Sequence, residues 1–540
     1  MPGTTPVAPA EKAPEYTPKA CPPRADPRFS VRVATVPLPG HDPLALYRAL
    51  TAAAGHGETF LTESLAGPRA DRRPAVVGHG RLAEIRLFAG HVEIDGAGPL
   101  RRALGAAAEQ AGLTPEAPGH GPYDRYRLAR SDQAWQLLRA AQEMFRVERD
   151  APGGYAFGFL ATLGYEAAWH MEPLPARTAS RGGPDVTATL FRETVWYDHE
   201  AGTARLLTAE CADFPPAGAV DVAALARRAA DTTPGATSDA AACPEAPAPL
   251  SVRDSVTRAD FLRWAGQCLE HIRIGDIYQI QIGHRIDVRS TLRPDQVYQR
   301  LRARNPSPYM YLCPRGTDTL IGASPELHFR IEPEAGGPDG PGPGAANGAR
   351  IVMRPIAGTT RRTADPEENE RRIEEMVTSS KEQAEHVMLV DLCRNDIGRV
   401  ARAGSLDETG LMTVETFSHV FHLVSTVSGR LAPGAGVWDA MAATFPAGTM
   451  TGAPKLRAME IIDGIEEEPR GIYAGAVGLV DVAGWAEFAL CIRTVVHDGE
   501  VYSTQSSAGI VAESAPEAEW NETLAKMAAA HWALTGSELL

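Results

Sequence analysis

Two stretches that cannot pack set the limits on what this chain can build. Residues 213–250 are dominated by Ala, Pro, Thr and Asp, and EPEAGGPDGPGPGAANGAR (332–350) holds too much Gly and Pro for regular structure. The first interruption separates a block at 29–212 from a longer ordered run that begins at 251; it reads as a linker, with room for one short helix at VDVAALARRAA. The second falls inside the longer run and reads as a surface loop inserted between two strands. Such an insertion costs little, because closure entropy grows only logarithmically with loop length. The first 28 residues, rich in Pro, Ala and charge, read as a disordered tail.

The 540 residues are 44% hydrophobic and 22% charged, enough to bury a sizeable core. Lys and Arg total 53 against 68 Asp and Glu, a formal net charge of -15. That balance argues against nucleic acid or an anionic membrane as the main partner. A small anionic substrate remains compatible, because a local basic pocket can sit in an acidic protein. The N-terminus shows no apolar segment of a secretory signal, and no run of about 18 apolar residues occurs. Seven cysteines are scattered without a CxxC pair. The odd count and low density fit a reducing cytoplasm, so the expected location is cytoplasmic.

Periodicity supplies the local elements. DVTATLFRETVWYDHEAGTARLLT alternates as two strands around a His-Glu-Ala-Gly turn. FLRWAGQCLEHIRIG has helical spacing and ends at Gly275, a plausible C-cap. DIYQIQIGHRIDV reads as a strand with Tyr278, Ile280 and Ile282 on one face and Gln279 and Gln281 on the other. PEENERRIEEMVTSSKEQAEHVMLVDLCRNDIGRV reads as one long helix or two consecutive ones.

Eight strings then follow in order: GDIYQ (275–279), NPSPYMYL (305–312), GASPEL (322–327), RPIAGTTRR (354–362), AEHVMLVDLCRNDIGRV (384–400), FPAGTMTGAPKLRAMEIID (445–463), IRTVV (492–496) and AGIVAESAPEAEWNETLAK (508–526). Together they resemble the chorismate-utilising family, with anthranilate synthase component I the nearest likeness. The resemblance implies an α+β fold: an orthogonal antiparallel β-sandwich core surrounded by helices. It also makes 251–535 the chorismate-binding catalytic domain and 29–212 an N-terminal region of the anthranilate synthase component I kind.

Chorismate carries two carboxylates and a hydroxyl that must leave, so its enzymes need cations, hydrogen-bond donors and an acid. The family pattern puts Mg2+ at Glu385 and Glu522, two oxygen donors that suit a hard ion which keeps several waters. Glu326 resembles the general acid for the C4 hydroxyl, a role that needs a carboxylic acid kept protonated near neutral pH. His422 resembles the histidine that helps aromatise the ring as pyruvate leaves, with His419 three residues earlier. Arg493 and Tyr473 resemble the pair that holds the enolpyruvyl carboxylate and the ring. Lys526 stands four residues after Glu522, on the same helical face, free to pair with it or to address substrate. Thr359 and Gly509 resemble a hydroxyl and a close-packed backbone beside the substrate, where Ser507 adds a further hydroxyl.

Gln279 and Ala357 bear on the nucleophile. Isochorismate-forming relatives carry a Lys at the first position to activate water, and a neutral amide cannot be that base. Many 4-aminodeoxychorismate synthases carry a Lys at the second. The resemblance therefore favours ammonia entering at C2, giving anthranilate and pyruvate in tryptophan biosynthesis. Ser506 and Ser507 depart from the usual Gln-Ala-Gly-Ala-Gly and bear on whether the intermediate keeps its pyruvate. The competing readings are a 2-amino-2-deoxyisochorismate synthase of secondary metabolism, aminodeoxychorismate synthase component I, and an inactive regulator that binds tryptophan or chorismate. No GxCxG-like elbow surrounds any cysteine, so a separate glutamine amidotransferase subunit is the expected ammonia source. FLTESLAGPRADRRPAVVG (60–78) and NPSPYMY imply an allosteric tryptophan pocket at Ser64, Pro306, Tyr309 and Met310, with Thr62 in place of the usual apolar residue.

Overall fold

A computed structural model describes residues 28–117, 123–148, 154–177, 183–198, 201–231, 243–333 and 348–540. The expected N-terminal tail, the centre of the Gly/Pro loop and the tip of the His-Glu-Ala-Gly turn lie outside the described residues. The architecture is α+β. Among the described residues, strands pair antiparallel throughout the sheets, except for Phe29–Leu38 alongside Phe145–Glu148.

The longer run does not fold against the first block as a separate body; the two share sheets. Thr59–Glu63 pairs with Tyr309–Arg315, and Gly158–Leu163 pairs with Ala476–Asp481, Leu160 opposite Leu479. The short helix of 213–250 is present as Val222–Asp231, and its Val222 and Ala226 are buried against the Pro43–Ala54 helix. That part of the stretch is therefore packed, because its apolar residues recur at helical spacing.

Local chemistry explains the elements near the site. The acidic helical segment is two helices, Pro366–Thr378 and Ser380–Gly398, broken at Ser379. Ser379 adopts extended backbone and its side chain accepts from the Glu382 amide, so one residue ends the first helix and caps the second. The Arg258–Arg273 helix is capped by Thr257, and Gly275 just beyond it sits at φ +84°, which only glycine adopts freely. The strand expected after it runs Gln279–Arg289. Ile280 and Ile282 are fully buried as expected, but Tyr278 precedes the strand and is 70% exposed. The residue alternation therefore begins one position later than the sequence pattern indicates.

Two strand pairs carry most of the site. Gln279–Arg289 lies antiparallel to Tyr502–Ile510, with Gln281 opposite Gly509 and Gly283 opposite Ser507. Ile356–Arg361 lies antiparallel to Val420–Arg430, with Thr359 opposite His422. A bulge between Ala357 and Thr359 is made by Gly358 at φ +60°. His422 is thus a strand residue, and His419 lies just outside that strand.

Candidate active site

Period-two alternation puts Gln279 and Gln281 on one face of their strand, and Ser507 and Gly509 on the matching face of its neighbour. Gly509 leaves room there: a Cβ on it would sit 3.0 Å from Gln281 Nε2 and 3.1 Å from Gln279 Nε2. Gln279 is buried, and its Oε1 has no hydrogen-bond partner among the described residues. A buried acceptor left open in this way is costly unless something arrives to fill it. Ser507 Oγ donates to Gln281 Oε1 at 2.8 Å, which leaves the Tyr473 hydroxyl to donate to Ser507 Oγ at 2.6 Å.

The C-terminal helix Pro516–Thr535 lies on the Tyr502–Ile510 strand and delivers Glu522 and Lys526. Lys526 takes the first of the two options its spacing allowed, pairing with Glu522. Its Nζ pairs with Glu522 Oε1 at 2.6 Å and donates to the Ser507 carbonyl at 2.9 Å. Glu385, on the Ser380–Gly398 helix, comes from the other side. Burial pushes its carboxyl up, and the negative charges of Glu382 and Glu522 push it further. It has no hydrogen-bond partner among the described residues. Carboxylates from two helices, Glu522 held by the Lys526 ammonium and Glu385 without a hydrogen-bond partner among the described residues, are a donor set suited to a hard divalent ion such as Mg2+. Among the described residues, no three His, Cys, Asp or Glu side chains gather closely enough to hold a metal alone. Substrate oxygens or waters would have to complete the coordination.

Glu326 follows the Asp318–Ser324 strand at the Pro325 turn. Burial drives its carboxyl up to about 8, against smaller opposing effects of a Thr449 hydrogen bond and the Lys526 charge. Thr449 Oγ1 donates to Glu326 Oε1 at 3.3 Å. Sequence reasoning quoted the string that contains Thr449 but gave the residue no role. The contact spans 123 positions and no local pattern announces it.

His422 is held at about 4, chiefly by burial, with the Arg493 charge adding to the effect. The Gly358 carbonyl lies 3.1 Å from its Nδ1 and can only accept, so the proton sits on Nδ1 and Nε2 is the free base. Thr359 Oγ1 approaches the same nitrogen at 3.0 Å. Arg493 has φ +51°, a costly backbone for a side chain with a Cβ. Its guanidinium, close enough to feel Tyr473 and Glu522, makes no hydrogen bond to another described residue. A fork of donors held without a protein acceptor suits a substrate carboxylate.

The structure therefore brings Gln279, Glu326, Thr359, Glu385, His422, Tyr473, Arg493, Ser507, Gly509, Glu522 and Lys526 into one connected region. Ser64, Pro306, Tyr309 and Met310 form a separate group. Tyr309 and Met310 line a cavity of about 270 Å³, with Thr62, Trp196, Pro308 and Trp485. Ser64 and Pro306 are not in its lining. The Ser64 hydroxyl donates to the Asp71 carbonyl at 3.4 Å, and the residue after Pro306 accepts from the Leu65 amide. The cavity's charges are paired internally: Arg73 and Arg330 with Glu487, and Glu63 with Tyr298 and Arg302.

A family model described as chorismate binding enzyme matches residues 104–531. The chain is 46% identical over 498 residues to a 2-amino-4-deoxychorismate synthase of Streptomyces globisporus, covering 92% of this chain and 95% of that protein. It is 43% identical over 380 residues to an anthranilate synthase component 1 of Streptomyces coelicolor, covering 68% of this chain and 71% of the relative. Among solved structures, anthranilate synthase component I of Streptococcus pneumoniae aligns with TM-score 0.61 and 27% identity over 85% of this chain and 92% of that one. The menaquinone-specific isochorismate synthase of Escherichia coli aligns with TM-score 0.60 at 16% identity, over 93% of this chain and 94% of that one, a likeness of fold.

Proposed function

The chain belongs to the chorismate-binding enzyme family, and on that premise we propose that it aminates chorismate at C2, expels the C4 hydroxyl and releases the ring with its enolpyruvyl group in place. The observation that carries this reading is the near full-length similarity to a protein named for such a product, 92% of this chain against 95% of that relative. A 2-amino-4-deoxychorismate has nitrogen at C2, no hydroxyl at C4 and its enolpyruvyl group retained. It is the same species as 2-amino-2-deoxyisochorismate.

The residues suit the steps. Glu326, protonated at neutral pH, gives its proton to the C4 oxygen, which leaves as water. Ammonia forms its bond to C2 while the open Oε1 of Gln279 accepts one of its N–H groups. The nitrogen then sheds its surplus proton, which restores the Glu326 acid, so chorismate plus ammonia gives the aminated ring plus water. Arg493 and Tyr473 grip the enolpyruvyl carboxylate. Glu385 and Glu522 would hold Mg2+, which when bound neutralises the ring carboxylate. His422, its Nδ1 facing the Gly358 carbonyl, presents Nε2 as the base that the loss of pyruvate would require, so this residue does not separate the two products.

A second reading, anthranilate synthase, is favoured by the Streptomyces coelicolor relative and the Streptococcus pneumoniae structure. It differs only in the last step, loss of pyruvate and aromatisation. In either reading ammonia comes from a separate glutamine amidotransferase subunit. Purified protein with chorismate, Mg2+ and an ammonium salt, analysed by chromatography and mass, tests the proposal. A non-aromatic aminated product without pyruvate is expected. Fluorescent anthranilate with equal pyruvate selects the second reading, the 4-amino isomer moves the attack to C4, and absence of turnover rejects both.

A further inference from the structure

The segment between the Val437–Thr444 and Lys455–Ile465 helices touches the site at several points. On one side Thr449 reaches Glu326. On the other, the carbonyls of Thr451 and Ala453 accept from the amides of Gln281 at 2.8 Å and Tyr278 at 2.7 Å, bracketing Gln279. From below, the Met450 carbonyl accepts from the buried Arg470 at 2.9 Å. Gly448 packs so tightly on the helix that carries Glu385 that a Cβ there would lie 2.8 Å from Leu392 Cδ1.

We propose that Lys455 is a positioning residue for the reaction, its ammonium clasping both ends of the segment 445–454 onto the Ser380–Gly398 helix so that Thr449 stays against Glu326. Lys455 follows the segment, and its Nζ donates to the carbonyl of Thr444, which precedes it, at 3.2 Å. The same Nζ donates to Asp396 Oδ1 at 2.7 Å, on the helix that also carries Glu385. Both partners are enclosed, Lys455 10% and Asp396 1% exposed at the side chain. One charge thus fixes the loop's two ends to each other and to the metal-side helix. The acid, the amides at C2 and the carboxylate of Glu385 keep a common frame. A buried ion pair adds little net stability over apolar groups of the same shape, so what this one contributes is geometry more than folding energy.

The inference rests on Glu326 acting as the acid, not on which product is released. The test compares Lys455→Met, Asp396→Asn and Thr449→Val in full-length protein, with chorismate consumption as the readout. Each variant is expected to lower kcat about 10-fold or more while the chorismate KM moves less than about threefold, the signature of a lost transition-state contact. Without Thr449 the Glu326 carboxyl rises, so the alkaline limb of the kcat/KM profile moves to higher pH in all three. Lys455→Met with Thr449→Val should fall no further than either alone. Hydrogen exchange, which needs no turnover, should speed selectively in 445–454 and at the Tyr278 and Gln281 amides of Lys455→Met. Folded variants with an unmoved limb, additive losses or unchanged exchange at those amides would overturn the assignment. Wild-type protein that leaves chorismate untouched would instead strike the proposed function, with the exchange experiment still deciding the clasp.

Discussion

Glu326 shows what a single side chain contributes and what it costs. Its acid form persists to about 8, so kcat/KM should be flat through neutrality and fall above that value. Glu326→Gln is expected to lose about 100-fold or more in turnover, as general acids typically contribute. The same substitution should raise the thermal midpoint at pH 9. A carboxyl whose folded value lies above its unfolded value loses stability as pH climbs between the two, and the amide carries no charge to bury. A thermal midpoint unchanged at pH 9 would mean that the carboxylate is already solvated. Gly509→Ala should push both glutamine amides aside and cut kcat about 10-fold with little change in midpoint, because the added Cβ meets flexible side chains and no backbone. Most such residues were legible from their strings, His422 and Glu385 among them. Thr449 was not, since its meaning lies in a contact with a distant turn.

At the level of elements, helices and strands near the site follow from caps and alternation. Ser379 decided between one acidic helix and two, and the Ser-x-x-Glu spacing from 379 to 382 held that information in the sequence. The first position of the Gln279–Arg289 strand was misread at Tyr278, because alternation gives phase but not an endpoint. Two helices that each bring an acidic side chain to one point should be drawn together by a divalent ion. Adding Mg2+ is therefore expected to raise the thermal midpoint of the wild type by about 2 °C or more, and to leave Glu522→Gln unmoved. Chelation should abolish turnover and Mg2+ should restore it. An equal Mg2+ shift in Glu522→Gln would place the ion elsewhere.

Across the whole molecule, composition marked the seam at 213–250 but could not show that strands cross it, since pairing between distant segments leaves no local trace. Without residues 1–250, Tyr309–Arg315 and Ala476–Asp481 would each lose a partner strand. A fragment beginning at 251 should therefore aggregate, and light scattering at low protein concentration would check this. Beside that seam, Tyr309 donates to Asp71, and Arg354 joins Asp71 to Glu415, which stands opposite His422 in the sheet. The cavity at one end of this line has its charges already satisfied by protein partners. Tryptophan is accordingly expected to inhibit weakly, which turnover measured with and without added tryptophan would check.

The shared sheets carry a consequence for anyone recombining relatives of this protein. A splice at residue 250 does not exchange modules; it asks the edge strands of one parent to find their register on those of another. Leu160 must meet Leu479, and Leu61 must meet Leu312, before either parent's pocket can close. Hybrids should therefore succeed or fail by the fit of those four short strands, however similar the parents are around the substrate.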